Sequence, residues 1–312
     1  MSFVARLGSA LDRFLVPLVL ATAVLGVAVP APAREAVGKH GVTLALVVLV
    51  FAVGLGLPVS ALAQTREHAR RLAVVVLVPA VVLPALAWGG SRLVAPGPLR
   101  NGVLCAGVAP TEVAAVALTA IAGGSAALSA VVLIGSTIGS VVLAGLTLHL
   151  LATTTGSSST ASLLVALLQI VALPLAVGIV VRAALPSRRR LAANDASSAG
   201  ASVAVLVLIW LVAGQAHLGV AYLQVGFALL LFLAGSAAAG ALLTRGQPSP
   251  IRISLLLPVA MRDFAVAAGI ATQAFGPATA APLGLYGVFV LLLGAAAARP
   301  PSTARSTGAD RH

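Results

Sequence analysis

The sequence predicts an all-α polytopic membrane protein, and composition and block length carry that prediction. Of 312 residues, 60% are hydrophobic and 8% charged, whereas a soluble domain is about 25% charged. No soluble fold hides that much apolar surface. The apolar residues fall in blocks of roughly 17–25, the length an α-helix needs to cross a bilayer. A membrane β-barrel is excluded, because its strands alternate apolar and polar residues over about ten positions. Here Leu44 to Leu57 and Val203 to Val212 are apolar all round.

Ten transmembrane helices are read in order, near residues 14–30, 42–63, 72–95, 101–122, 125–152, 161–183, 200–215, 221–243, 251–274 and 278–298. The first follows Arg6 and Arg13 as a signal sequence would. The spans behind it leave nothing soluble to export, so it is read as a retained helix. Under this count fourteen of the nineteen basic residues fall on one side, among them Arg66, Arg70, Arg71, Arg182 and Arg188 to Arg190. Arg34, Lys39, Arg92 and Arg100 fall on the other side, and Arg262 lies inside a span. The positive-inside rule then places both termini in the cytoplasm of a multi-pass protein of the cytoplasmic membrane. The net charge of +12 therefore reports orientation in the bilayer, not affinity for nucleic acid.

The run from Gly156 to Thr160 reads as a flexible joint at the midpoint of the chain. It divides the protein into residues 1–155 and 161–298, each with five spans. An odd number of spans reverses the second half relative to the first, the arithmetic of two inverted five-helix repeats. Residues 299–312 are polar and proline-containing and read as a disordered cytoplasmic tail, with no appended catalytic or regulatory domain. Cys105, the single cysteine, lies in an apolar block. It has no intrachain disulfide partner and reads as a core residue.

The fourth and ninth spans are interrupted at corresponding places, by Ala109-Pro110-Thr111-Glu112 and by Pro258 followed by Met261-Arg262-Asp263. A proline inside a helix frees a carbonyl that lipid cannot satisfy but a protein-lined cavity can. Two equivalent breaks therefore point to a shared cavity. Pro79, Pro84 and Pro174 read as simple kinks. Of the seven acidic residues only Glu112 and Asp263 are mid-span. A charge at the bilayer centre costs about 2.5–3.5 kcal/mol on insertion scales, so such groups serve function or pair internally. The candidate substrate- and ion-binding residues are Pro110, Thr111, Glu112, Pro258, Met261, Arg262 and Asp263.

On a continuous helix Arg262 and Asp263 point about 100° apart. Arg262 is then expected to pair with Glu112 across the cavity or to hold an anionic substrate, leaving Asp263 or Glu112 to carry a coupling proton. The competing structural reading is an ion network that only locks the two broken helices together. No His, Cys or carboxylate cluster has metal-ligand spacing, and no cofactor is expected. His149 and His217 read as interfacial or joint residues. Gly135 and Gly139 in the fifth span, and Gly54 and Gly56 at the end of the second, read as sites of close helix contact. Ser136 and Thr137 stand beside the former pair.

Three phrases resemble the bile acid:sodium symporter superfamily, and the resemblance covers nearly the whole chain. They are Val53-Gly54-Leu55-Gly56-Leu57; Ala106-Gly107-Val108-Ala109-Pro110 with Ala122-Gly123-Gly124-Ser125-Ala126-Ala127-Leu128-Ser129; and Ala260-Met261-Arg262-Asp263-Phe264-Ala265-Val266-Ala267 with Phe275-Gly276-Pro277. The resemblance implies that spans 4 and 9 are broken helices crossing in a core domain (spans 3, 4, 5, 8, 9 and 10). A panel domain (spans 1, 2, 6 and 7) stands beside it, and the two move relative to each other. It implies a transporter.

The chain departs from the sodium-coupled members where their ligands lie. Ala115 and Val116 stand in place of Ser-Asn, Pro258 in place of a glutamate, and Arg262-Asp263 in place of Gln-Asn. Sodium sites are therefore expected to be absent, and proton-coupled or uncoupled transport fits better. A small organic anion suits Arg262 better than a cation does. The function expected is a secondary transporter of such an anion, working by alternating access. The competing readings are an arsenite-type metalloid efflux carrier, which would want a cysteine where Thr111 stands, and a transport-inactive membrane scaffold or sensor. A membrane-embedded enzyme would require a reactive side chain beside an acid-base partner, and none is visible.

Overall fold

The computed structural model describes residues 14–38, 40–57, 69–151, 160–216 and 219–297. The expected joint from Gly156 to Ser159, His217, Lys39 and the C-terminal tail lie outside the described residues. Everything described is helix or short connection, with one isolated antiparallel bridge between Thr111 and Arg262.

Local chemistry sets the helix boundaries. Helix α1 (Leu15–Ala28) stops at Val29 because Pro30 follows, and a residue before proline is driven out of the helical region. The chain turns by 89° into α2 (Pro30–Gly38), which opens on a proline pre-set for the first helical position. This stretch was expected as a joint. Helix α3 (Gly41–Gly56) starts after His40, whose φ is 64°. Helix α4 (Ala69–Ser91) runs through both Pro79 and Pro84 without breaking. Three helices follow: α5 (Pro98–Val108), α6 (Ala114–Ile121) and α7 (Ala126–Leu151). Helix α8 (Thr160–Leu167) passes through a π-helical turn (Leu168–Ala172) into α9 (Leu173–Ala184), where Pro174 supplies no N–H to the preceding turn. The remaining elements are α10 (Ser187–Ala213), α11 (Val220–Leu243), α12 (Ser249–Ala260), α13 (Phe264–Phe275), a 3₁₀ turn (Pro277–Ala280) and α14 (Ala281–Ala297).

Six helices are long and apolar enough to cross a membrane alone, or seven when the pair bent at Val29 counts as one. Helices α3, α12 and α13 are apolar but shorter. The ten expected spans are thus not all recognisable by length. The pieces on either side of the two breaks, 11 and 8 residues in α5 and α6 and 12 each in α12 and α13, fall short of the roughly 20 a crossing needs. The outer faces carry Leu77, Val81, Ile138, Val142, Val180 and Leu223, all more than half exposed. Such a belt is unstable in water and natural in lipid. The protein is a multi-pass membrane protein.

Two groups of helices form. In one, α3 packs against α9 and α10, and α10 against α1. Here Gly54 and Gly178 bring backbones together. A Cβ on Gly54 would stand 2.4 Å from the Leu175 carbonyl oxygen, and one on Gly178 2.4 Å from that of Phe51. In the other group α4 packs on α5, α7 and α11, α12 on α11 and α7, and α13 on α5 and α14. Gly135 presses on Val76 of α4, while Gly139 faces open space, so the spacing of small residues makes one close contact, not two.

Candidate functional site

Both interrupted helices lose their helical path within a few residues of one another. Helix α5 ends at Val108 and α6 begins at Ala114; α12 ends at Ala260 and α13 begins at Phe264. The two extended pieces run antiparallel and pair. The Glu112 N–H donates to the Met261 carbonyl at 2.8 Å, and the Asp263 N–H donates to the Pro110 carbonyl at 2.8 Å. These bonds satisfy backbone groups that would otherwise be orphaned inside a membrane.

The helix-end carbonyls are also taken up. The Ser140 hydroxyl donates to the Val108 carbonyl at 2.6 Å, and the Ser236 hydroxyl to that of Ala260 at 2.9 Å. The Thr111 N–H donates to the Ser136 hydroxyl oxygen at 3.0 Å, and the Thr111 hydroxyl to the Pro258 carbonyl at 2.9 Å. Ser136 is thus part of the crossing, whereas the Thr137 hydroxyl donates back to Leu133 within its own helix.

Extended chain alternates its side chains with a period of two. With Thr111 opposite Arg262, these two share one face of the crossing, and Pro110, Glu112, Met261 and Asp263 share the other. The surroundings of the three charged residues agree, while Thr111 borders spaces on both faces. Thr111 and Arg262 line a cleft of about 20 Å³ with Ser136, Ser140, Pro79 and Pro84, toward α4 and α7. Glu112 lines a cavity of about 640 Å³ between α6 and the α3–α10 pair. Asp263 and Pro110 line a small space of about 20 Å³ against Val50, Val53 and Val171.

The expected pairing of Arg262 with Glu112 does not form. The 100° separation assumed a continuous helix, but Arg262 and Asp263 sit in the extended break and point to opposite faces. The Arg262 guanidinium donates instead to the Ala109 carbonyl, a cation at the C-terminus of α5 where the helix dipole favours one. Its Nε makes no hydrogen bond.

Asp263 caps α13, one carboxylate oxygen accepting from the N–H groups of Ala265 and Val266, each at 2.9 Å. Glu112 stands just ahead of α6, with Oε1 3.5 Å from the Ala114 nitrogen, the backbone N–H groups of Phe264 and Val113 near its carboxylate, and Oε2 without a hydrogen-bond partner among the described residues. Cation at a helix C-terminus and carboxylates at helix N-termini make the crossing electrostatically self-compensating. The two carboxyl groups lie on one face of the crossing. All three ionisable groups are almost fully buried, at 3% (Glu112), 4% (Arg262) and 2% (Asp263) exposed.

Residues 12–279 match the model of the SBF-like CPA transporter family. The chain belongs to that family. No curated protein matches it significantly. Membership in the SBF-like family makes the protein a membrane transporter.

Within this SBF-like transporter, the structure adds site residues that composition concealed. The seventh span was expected from residue 200, with the polar stretch before it as a joint. Helix α10 instead starts at Ser187. Asn194, Ser197, Ser198 and Ser202 therefore lie on one face of a helix, at intervals of three, four and eight residues from Asn194, and line the large cavity together with Arg182. That spacing was the available signal. Tyr286 of α14 was also missed. It is fully buried, and its hydroxyl lies within electrostatic reach of Arg262, Glu112 and Asp263. Of the positions departing from the sodium-coupled pattern, Ala115 is buried, Val116 lines the large cavity and Pro258 lies inside α12. None brings a side-chain oxygen.

Proposed function

We propose that the protein is a proton-coupled secondary transporter of a small organic anion, working by alternating access, with Glu112 carrying the proton. The observation that carries this reading is the unpartnered Glu112 oxygen on the wall of a cavity of about 640 Å³. That volume is within the roughly 300–1,000 Å³ of small-molecule sites. The cavity reaches the surface at exposed Asn194, and most of its wall is aliphatic, which suits an amphipathic solute rather than a bare inorganic ion.

Coupling follows from charge. An anion seated about 10 Å from an ionised Glu112, at an effective dielectric of about 20, is repelled by about 1.7 kcal/mol, or roughly fifteenfold in affinity. Anion and proton therefore each favour the binding of the other. Asp263 is held by the α13 amides and remains the cap. Lacking side-chain oxygens at Ala115, Val116 and Pro258, the crossing offers little to sodium. Thr111, whose hydroxyl is committed to Pro258, offers little to a metalloid.

In this reading the ten spans form two inverted repeats divided near residue 156, and the crossing group is the core that rocks against the panel of α1, α3, α9 and α10. Both termini are cytoplasmic, and the large cavity opens on the cytoplasmic side, beside Arg182 and Arg188 to Arg190. Uptake of labelled monocarboxylates into proteoliposomes tests the function. Uptake above that of protein-free liposomes, driven by an imposed proton gradient and indifferent to sodium, is expected. Uptake driven by sodium alone would refute it.

A further inference from the structure

Apart from Glu112, the polar residues on the wall of the large cavity come from α9 and α10: Arg182, Asn194, Ser197, Ser198 and Ser202. Arg182 is the only cation among them. Its Nη1 is committed, donating to the Asn194 side-chain oxygen, to the Arg190 carbonyl at 3.2 Å and to the Leu55 carbonyl at 3.5 Å. These contacts tether one corner of the guanidinium to α3 and α10. Nε and Nη2, the edge that forms side-on bidentate pairs with carboxylates, make no hydrogen bond to the described residues. Because Asn194 accepts from Arg182 through its oxygen, its amide N–H groups remain as donors on the same side.

We propose that Arg182 and Asn194 form the site that receives the substrate's carboxylate, and that they select an amphipathic monocarboxylate over a neutral solute of the same shape. The guanidinium is pre-organised, so little rotamer freedom is lost when the fork closes on an anion. Arg188, Arg189 and Arg190, exposed in the first turn of α10, add positive charge to this end of the protein, which favours the approach of anions. The carboxylate is held at the rim, and the apolar body lies inward over Val53, Val116, Leu133 and Val205 toward Glu112. This separates the two tasks: Arg182 recognises charge and Glu112 carries the proton. The assignment rests on the proposed transport of an organic anion.

The test is initial-rate uptake by the full-length protein in liposomes under a fixed proton gradient. The probes are octanoate and benzoate, compared with octanamide and benzamide. Above the passive entry measured in protein-free liposomes, wild type is expected to take up the carboxylates and not the amides. Arg182→Gln is expected to raise KM for both carboxylates about 10- to 100-fold, the effect of losing a charge-assisted pair, while the remaining uptake still responds to the proton gradient. Arg182→Lys keeps the charge but not the fork and is expected to fall between them, which separates recognition from loss of folding. Glu112→Gln is expected to lose the response to the proton gradient. Unchanged KM in Arg182→Gln, with wild type still driven by protons, would overturn the carboxylate site and leave the proposed function standing. Uptake of the amides alone, or of none of the four probes, would overturn both.

Discussion

Glu112 and Arg262 stand on two paired segments of the same crossing and face opposite ways, Glu112 into the cavity of about 640 Å³ and Arg262 into the cleft of about 20 Å³ beneath α4 and α7. The charge that opens to solute is negative, and the buried cation serves the helix ends. The two residues are therefore expected to respond differently to substitution.

Replacing Arg262 with Gln leaves the Ala109 carbonyl with a weaker donor. The expected result is lower thermal stability, on the order of 1–3 kcal/mol for a buried hydrogen bond of this kind, with no change in KM for an organic anion. Thermal unfolding in detergent and substrate titration of uptake check the two halves.

Asp263 separates capping from coupling. Asp263→Asn keeps an oxygen for the Ala265 and Val266 N–H groups and is expected to leave the response to a proton gradient intact. Asp263→Ala removes the cap and is expected to cost about 1 kcal/mol, seen as a lower unfolding temperature. A lost proton response in the Asn variant would move the coupling role from Glu112 to Asp263.

The contact between α3 and α9 leaves no room for a methyl group. Gly54→Ala and Gly178→Ala each place a Cβ 2.4 Å from a carbonyl oxygen of the other helix, and backbone must shift. A loss of about 1–3 kcal/mol is expected from such overpacking. Gly139→Ala, with nothing within 4 Å, is the control and is expected to be neutral by the same unfolding assay.

Access to the large cavity can be read with thiol chemistry against a quiet background. Cys105, the only native cysteine, is buried at 0% exposure and is expected not to react with a membrane-impermeant maleimide. Ser198→Cys lines the cavity near Arg182 and is expected to react only when the reagent is supplied on the face of Arg188 to Arg190. Octanoate is expected to slow that reaction.

The broken helices, their prolines and the two mid-span acids were legible in the sequence, because polar residues interrupt otherwise apolar blocks. The direction in which those residues point was not. Reading Met261-Arg262-Asp263 as helix gave a 100° step, whereas the paired extended segments impose alternation, and only the partner strand at Pro110 to Glu112 reveals it. The polar face of α10 was hidden for a related reason. Arg188 to Ser198 has the composition of a loop, and its helical register matters only once a cavity lies beside Asn194 and Ser197. Helix α2 was missed because Pro30 and Pro32, which end one helix, also start the next.

In the proposed mechanism Glu112 couples the movement of an anion to that of a proton. The most direct test of this coupling is the internal pH of proteoliposomes loaded with a pH-sensitive dye, held free of sodium, and exposed to external octanoate. Passive entry of octanoic acid is subtracted with protein-free liposomes. Acidification faster than that background is expected with the wild-type protein, and none above it with Glu112→Gln, whose anion uptake nevertheless remains measurable. Acidification by Glu112→Gln at the wild-type rate would contradict it.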